Sequence, residues 1–147
     1  MAAPVEELRR VPLFGGLSDR QLRKLARDFR PRTFRPGTSV VRQGEMSGVG
    51  FFIVTAGEAR VSVGDEEIAT LGPGDHFGEL GLVSERERTA TVTAGDGLAC
   101  MEIPVWHFRR FVKDNPDVAW KLLQHLAGLV ADAEARRERP GSAPAPA

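Results

Sequence analysis

The segment LGPGDHFGELGLVSERERTATVTA, residues 71–94, combines a glycine-rich turn with one carboxylate and one guanidinium at a short spacing. Gly72 and Gly74 lie in the turn, Glu79 follows at the start of a predicted short helical turn, and Arg88 comes nine residues later. Backbone N–H groups at a helix start attract phosphate, and an arginine offers paired donors to phosphate oxygens. A glutamate can accept a hydrogen bond from a ribose hydroxyl. The segment therefore predicts a site for a ligand that carries both an anion and a sugar hydroxyl.

The same segment resembles the phosphate-binding cassette of the cyclic nucleotide-binding domain family, which occurs in the catabolite activator protein, in kinase regulatory subunits and in nucleotide-gated channels. The family pattern runs F-G-E-L/I-x-L, then a short loop, then R-T/S/A-A. The matching positions are Phe77, Gly78, Glu79, Leu80, Leu82, Arg88, Thr89 and Ala90. The resemblance implies that all of them except Leu82 bind the ligand. It also implies that Arg88 holds a cyclic phosphate, together with the amides near Gly78, Leu80 and Ala90, and that Glu79 holds the ribose.

The implied ligand is a 3′,5′-cyclic nucleotide, with cAMP as the first choice and cGMP as the second, and no further cofactor is implied. The family has Ala, Ser or Thr where this chain has Thr89, and a threonine hydroxyl can reach the phosphate or the amino group of guanine. Thr89 therefore admits cGMP without requiring it. The implied function is a sensor in which Leu80 or Leu82 shifts against the helices when ligand binds. Such a sensor controls an effector protein or an effector domain missing from this chain.

The composition is that of one globular domain, because 147 residues are too few for two ordinary ones. The 20 basic residues balance the 20 acidic ones, so no global field favours nucleic acid or an anionic membrane. No apolar run is long enough to span a bilayer, and the N-terminus lacks the pattern of a secretory signal. The single cysteine, Cys100, excludes an internal disulfide, fits a reducing cytosol and is predicted to be a buried, inert thiol. We therefore expect a cytoplasmic domain that binds no nucleic acid directly.

The N-terminal segment, up to about Phe29, is predicted to be helical. Residues 5–14 form a short amphipathic piece, and Ser18 with Gln21 forms a capping box at the start of a helix. The residues of that helix that should face the core are Leu22, Leu25, Ala26 and Phe29. Pro31 and Pro36-Gly37 are predicted to end the helix and to open a region of turns.

The middle of the chain predicts an antiparallel β-roll, because short Val-, Ile-, Phe- and Thr-rich segments alternate with glycine-bearing turns. The predicted strands are Ser39–Arg42, Gly50–Thr55, Glu58–Val63, Glu66–Leu71, Thr89–Ala94 and Leu98–Ile103. The fold class is therefore mainly β and jelly-roll-like, with an N-terminal helical segment and two C-terminal helices. The expected organisation is a lead-in at 1–10, the domain at 11–137 with the roll at about 32–103 and helices at about 104–137, and a disordered Pro/Ala-rich tail at 138–147.

Two helices are predicted after the roll. Pro104 fits the first position of one of them, and Asn115-Pro116 separates it from the second. The residues predicted to face the core from the first helix are Val105, Phe108, Phe111 and Val112, and those of the apolar stripe on the second are Val118, Leu122, Leu126, Leu129 and Val130. Trp106 and Trp120 are predicted to pack within this helical part.

The stripe on the last helix has two interpretations, a cover for the ligand and a seam for a homodimer. Leu126, Leu129 and Val130 are the candidate lid residues over the purine. The sequence departs from the catabolite activator pattern here, since Ala133-Glu134 stands where that protein has a Thr-Ser pair that contacts adenine. Polar base contacts from this helix, and the dimer that accompanies them, are therefore not implied by the residues.

Two other functions compete with the sensor. One is a β-roll that binds no ligand and serves protein–protein interaction, which intact Glu79 and Arg88 argue against. The other is a metal-dependent cupin-type enzyme using His76, which the small number of histidines argues against because such sites need several. No spacing indicates a nucleophile with its base or a pair of catalytic carboxylates. We therefore expect neither a metal site nor an enzyme.

Overall fold

Eight strands form two four-stranded antiparallel sheets in the computed structural model, which describes residues 3–45, 50–84 and 86–138. The strands are β1 (Arg30–Thr33), β2 (Ser39–Val41), β3 (Gly50–Ala56), β4 (Ala59–Val63), β5 (Glu66–Leu71), β6 (His76–Phe77), β7 (Thr91–Ala94) and β8 (Ala99–Pro104). One sheet has the order β1-β8-β3-β6 and the other the order β2-β7-β4-β5. The predicted fold class, an antiparallel roll with flanking helices, is confirmed.

Helices flank the roll at both ends of the described chain. They are α1 (Val5–Arg10), the 3-10 helix η1 (Pro12–Phe14), α2 (Asp19–Ala26), α3 (Val105–Asp114) and α4 (Pro116–Glu138). A further 3-10 helix, η2 (Glu79–Leu82), lies within the roll between β6 and β7. The predicted capping box is present, because the Ser18 hydroxyl accepts from the Gln21 N–H and the Gln21 side chain accepts from the Ser18 N–H. The segment expected as a lead-in contains α1, whose Leu8 is fully buried. Glu138, the first residue of the expected disordered tail, is the last residue of α4, and residues 139–147 lie outside the described residues.

The central strands β3 and β8 are buried on both faces along most of their length, and they connect the helices to the roll. On its outer face Phe51 and Ile53 pack with the helices, and on its inner face Phe52 and Val54 pack inside the roll. Successive side chains of a strand point to opposite faces, so one strand supplies both cores. Cys100 lies in the roll core, where burial and then the charge of Glu102 raise its pKa to about 11, as expected for an inert thiol.

The six predicted strands are confirmed, Glu66–Leu71 with the predicted bounds and the other five with shifts of one or two residues at their ends, but two strands were not predicted. Pro31 lies in β1 and does not open a region of turns. A proline is tolerated there because β1 is an edge strand whose partner in the described sheet is β8, so one backbone N–H can be missing. The other unpredicted strand, β6, has only two residues and owes its assignment to pairing with β3.

Two predictions for the C-terminal helices are corrected. Pro104 is the last residue of β8 and the N-cap of α3, with extended backbone, and is not the first helical residue. Trp106 and Trp120 are 61% and 63% exposed and do not pack in the helical core. The buried residues of α3 are Val105, Phe108 and Phe111, and the partly buried Val112 packs against the same core, as predicted. No helix among the described residues has both the length and the apolar content needed to cross a bilayer.

Candidate functional site

A cavity of about 460 Å³ opens between η2, the loop that follows it, and the inner face of the roll. Its apolar side is formed by side chains from four strands, which are Val41, Val61, Leu71 and Val92. Its polar side is formed by the segment from His76 to Gly81 and by residues of the loop before β7. A pocket with an apolar floor and a few convergent polar groups is typical of a site for a small organic ligand.

Gly78 turns the chain from β6 into η2. Its φ of +90° lies in the left-handed region, which glycine adopts without the steric cost of a Cβ. A Cβ at residue 78 would also come within 2.8 Å of both Arg88 Nη1 and the Gly50 carbonyl oxygen. The predicted helical turn is confirmed as η2, which spans only four residues. Since so short a helix has a small dipole, positively charged side chains are the main groups able to hold an anion here.

The backbone of Arg88 is hydrogen-bonded to the loop before β3. Its N–H donates to the Glu45 carbonyl at 2.8 Å, and its carbonyl accepts from the Gly44 N–H at 2.9 Å. The guanidinium donates from Nη2 to the Gly50 carbonyl at 3.1 Å. A Cβ at Gly81 would lie 3.0–3.1 Å from three guanidinium atoms, so this glycine makes room for the group as Gly78 does.

The guanidinium of Arg88 is half-buried and incompletely paired. Its Nε is buried and has no hydrogen-bond partner among the described residues. Burial lowers the pKa of Arg88, although an arginine remains charged at any physiological pH. A buried donor without a partner costs free energy and calls for an explanation, and a site for an anion is one.

Glu79 is the first residue of η2, and its carboxylate lies beside His76. His76 Nδ1 and Glu79 Oε2 are 3.3 Å apart, and about a quarter of each side chain is exposed. Burial alone would raise the pKa of Glu79, but the hydrogen bonds from His76 and from its own backbone N–H, with the charge of His76, outweigh burial and lower it. Glu79 is therefore held as a carboxylate within the cavity.

Glu79 and Arg88 line the same cavity but make no ion pair with each other among the described residues. Arg88 is directed to Gly50, and Glu79 to His76. The two opposite charges are thus available at separate points of one cavity. This arrangement suits a ligand that presents an anion to one group and a hydroxyl donor to the other.

Residues 31–115, more than half of the chain, match the family described as the cyclic nucleotide-binding domain. The chain belongs to that family. The resemblance predicted from the cassette is thereby confirmed. The matched family is a ligand-binding domain of the regulatory type.

Two relatives of this cyclic nucleotide-binding domain are protein kinase components. It is 36% identical over 118 residues to cGMP-dependent protein kinase, isozyme 1, of Drosophila melanogaster, a match that covers 75% of this chain and 15% of the kinase. It is 40% identical over 89 residues to the cAMP-dependent protein kinase regulatory subunit of Yarrowia lipolytica, covering 59% of this chain and 24% of the subunit. The chain therefore spans less than a quarter of either relative.

A solved structure shares the architecture over nearly its whole length. The N-terminal domain of a transcriptional regulator from Streptomyces coelicolor A3(2) superposes with a TM-score of 0.77 at 26% identity. The superposition covers 92% of this chain and 97% of that domain. The helices at both ends of the roll are thus part of an architecture that occurs in another protein.

All seven residues predicted to bind the ligand line the cavity. They are Phe77, Gly78, Glu79, Leu80, Arg88, Thr89 and Ala90. Phe77 contributes mainly to the roll core, where its ring stacks on Phe52 with centroids 4.8 Å apart, while Leu80 is 62% exposed. The structure therefore brings these residues together, and the role of each in binding remains a prediction.

The candidate lid residues do not reach the cavity in this structure. Leu126 packs against the helical core, whereas Leu129 and Val130 are exposed on the outer half of α4. None of the three lines the cavity. A lid formed by them requires a movement of α4 relative to the roll.

Several cavity residues were not predicted, and His76 is the most informative of them. From the sequence, His76 was considered only as a metal ligand, and no group of three or more candidate metal ligands occurs among the described residues. Its position three residues before Glu79 was the available signal, since a two-residue strand and a tight turn can bring such residues together. Other unpredicted cavity residues are Gly81, Ser84, Arg86 and Glu87.

Proposed function

We propose that this domain binds a 3′,5′-cyclic nucleotide in the cavity, with cAMP as the first choice and cGMP as the second. The observation that carries the proposal is that Arg88 and Glu79 line one cavity without neutralising each other. The cyclic phosphate pairs with the Arg88 guanidinium, and the ribose 2′-hydroxyl donates to the Glu79 carboxylate. The base occupies the apolar side formed by the roll strands.

Binding of the phosphate would give the Arg88 guanidinium an anionic partner. The guanidinium is half-buried, and its Nε is buried with no partner among the described residues. An anion placed against it forms charge-assisted hydrogen bonds, which are shorter and stronger than neutral ones. The glycines at 78 and 81 support this role, because a side chain at either position would occupy the space of the guanidinium.

The choice between the two purines rests on Thr89, which lies at the cavity wall and is exposed. Its hydroxyl is available to a phosphate oxygen or to the guanine amino group. One relative is named for dependence on cGMP and another for dependence on cAMP, so the comparisons support either ligand. We place cAMP first because adenine carries fewer polar groups than guanine, which suits the apolar side of the cavity.

We further propose that the domain is a switch and that Leu82 transmits the change. Leu82 is 3% exposed and belongs to the core shared by the helices, although it lies in the same short helix η2 as Glu79. A bound ligand that contacts both Glu79 and Arg88 draws them together and thereby moves η2. Because Leu82 lies in η2, it then moves against α3. The last helix closes over the base through Leu126, Leu129 or Val130. A ligand shifts this equilibrium only by its different affinities for the two arrangements.

The switch needs an effector, and we propose that the domain controls a partner protein or a further domain. Kinase relatives extend far beyond this domain, and the chain covers 15% and 24% of the two named above. We also propose that α4 is the surface for a homodimer, since Leu129 and Val130 are exposed on it. Sedimentation velocity of the wild type and of Val130→Glu tests the dimer, which the variant should abolish.

Calorimetric titration with cAMP and cGMP tests the proposed ligand. We expect saturable binding of at least one nucleotide to the wild type, and a loss of affinity of at least about a hundredfold in Arg88→Gln. The control is Arg20→Gln, which removes an exposed guanidinium on α2 and should bind as the wild type does.

Absence of saturable binding to the folded wild type would contradict the proposal and favour the alternative, a β-roll that serves protein–protein interaction only. Equal affinity of the Arg88 and Arg20 variants would show that nucleotide binds elsewhere. Metal analysis of the purified protein tests the metal-enzyme alternative, which requires a bound transition metal.

A further inference from the structure

His76 lies next to the carboxylate that is proposed to hold the ribose, and its ring is well fixed. Residue 76 is paired with Ile53 in the β3–β6 ladder. The ring packs against Phe51, with centroids 5.7 Å apart and planes inclined by 57°. Because one side of the ring meets a fully buried phenyl group, its Nδ1 is presented to Glu79 in a defined direction.

The contact has a defined donor and acceptor. An ionised carboxylate can only accept, so the contact between His76 Nδ1 and Glu79 Oε2 requires a proton on Nδ1. This holds for the neutral Nδ1–H tautomer and for the imidazolium alike. A carboxylate has about four acceptor positions, so Oε1 keeps the capacity to accept a ligand hydroxyl.

We propose that His76 is a positioning residue for the sugar-binding carboxylate, which it holds by donating from Nδ1 to Glu79 Oε2. The proposal rests on the proposed nucleotide-binding function. Glu79 begins a four-residue helix after a glycine, and its further hydrogen-bond donor within the described chain is its own backbone N–H. Without His76 its side chain would sample other rotamers, and each binding event would have to reorder it.

Two substitutions separate the hydrogen bond from the packing of the ring. His76→Phe retains an aromatic ring against Phe51 and removes the donor. His76→Asn loses the ring but places an amide N–H close to the position of Nδ1. Thermal unfolding of both variants, measured before ligand is added, tests whether the fold is retained.

The readout uses two ligands that differ in one atom, cAMP and 2′-deoxy-cAMP. The wild type should prefer cAMP because only this ligand donates a 2′-hydroxyl to Glu79. We expect His76→Phe to weaken cAMP binding by about five- to tenfold and to leave 2′-deoxy-cAMP binding unchanged within twofold. His76→Asn should retain most of the preference for cAMP.

Three outcomes would overturn the inference. In the first, His76→Phe lowers the affinities for cAMP and 2′-deoxy-cAMP equally. In the second, His76→Phe lowers neither affinity. In the third, His76→Asn loses the preference for cAMP as fully as His76→Phe does. The first outcome would assign His76 a structural role only, and the other two would show that its donor does not act through Glu79. If the wild type binds neither ligand, the proposed function itself fails, which is a distinguishable result.

Discussion

The guanidinium of Arg88 lies directly against the backbone of Gly78, where a Cβ would approach Arg88 Nη1 and the Gly50 carbonyl oxygen to 2.8 Å. This relationship connects the two ends of the cassette. The residue that turns the chain into η2 is also the residue that leaves space for the anion-binding group. The site therefore depends on an absent side chain as much as on the charged ones.

A Gly78→Ala substitution should weaken nucleotide binding at least tenfold and destabilise the fold. Gly37→Ala is the matched control, because Gly37 has a similar φ of +87° and a methyl group added there would meet no atom of the described residues within 4 Å. In the control, the free energy of unfolding should fall only by the cost of placing an alanine in left-handed backbone, about 1–2 kcal/mol, and the affinity for the nucleotide should be unchanged. Calorimetry and urea unfolding measure both quantities. Equal affinities of the two variants would show that the Arg88 guanidinium does not need the space at residue 78.

The two leucines of η2 should differ sharply in their contribution to stability. Leu82 is 3% exposed and packs in the helical core, whereas Leu80 is 62% exposed. We expect Leu82→Ala to lower the free energy of unfolding by about 2–5 kcal/mol and Leu80→Ala by less than about 0.5 kcal/mol. Urea denaturation at constant pH measures both. Similar small losses would mean that η2 is not anchored to the helices, and the proposed route of the switch would be wrong.

Acidification should reduce the contribution of Glu79 to stability. Its carboxyl pKa is lowered in the folded protein, so it stabilises the fold above its unfolded pKa of about 4.3. That stabilisation is lost as the pH falls through the lower, folded-state pKa. The difference in free energy of unfolding between the wild type and Glu79→Gln should therefore change as the pH falls below about 5, where the glutamate begins to bind protons in the unfolded state. A difference that stays constant down to the acid transition would contradict a lowered pKa.

Closure of α4 over the ligand should shorten the distance between α4 and the roll. Spin labels on Glu67→Cys in β5 and Glu134→Cys in α4 report that distance, since both positions lie towards solvent on their elements. Cys100 is the only native cysteine, is buried and has a pKa raised to about 11, so it should not react with the label. We expect cAMP to shift the mean distance to a shorter value in the wild type and not in Arg88→Gln. An unchanged distance at saturating ligand would contradict closure of α4.

Much of the roll could be predicted because its signals are local. Glycine-bearing turns separate the strands. The run of apolar residues Phe51, Phe52, Ile53 and Val54 is typical of a strand buried on both faces, and these residues pack alternately into the two cores. The strands β1 and β6 were not predicted, since one contains a proline and the other has two residues. Both owe their assignment to a neighbour, β8 for the first and β3 for the second.

In the helices, too, the sequence predicted what local spacing determines and failed where the rest of the fold decides. Apolar spacing predicted that Phe108 and Phe111 face the core, and both are buried. Trp106 and Trp120 were predicted to pack because of their size, yet each is more than half exposed. Burial of a large side chain depends on which helix face the rest of the fold covers, and residue type does not contain that information.

The order of residues in the chain was sufficient to identify one carboxylate and one guanidinium, Glu79 and Arg88, in a cassette between strands, because both their chemical types and their spacing are properties of the sequence. Only the tertiary structure decided that they line one cavity without pairing, that His76 lies beside the carboxylate, and that Leu82 points inward while Leu80 points outward. The physical reason is that direction and distance between side chains depend on the packing of β3, β6 and η2 around two glycines, and packing involves residues far apart in sequence.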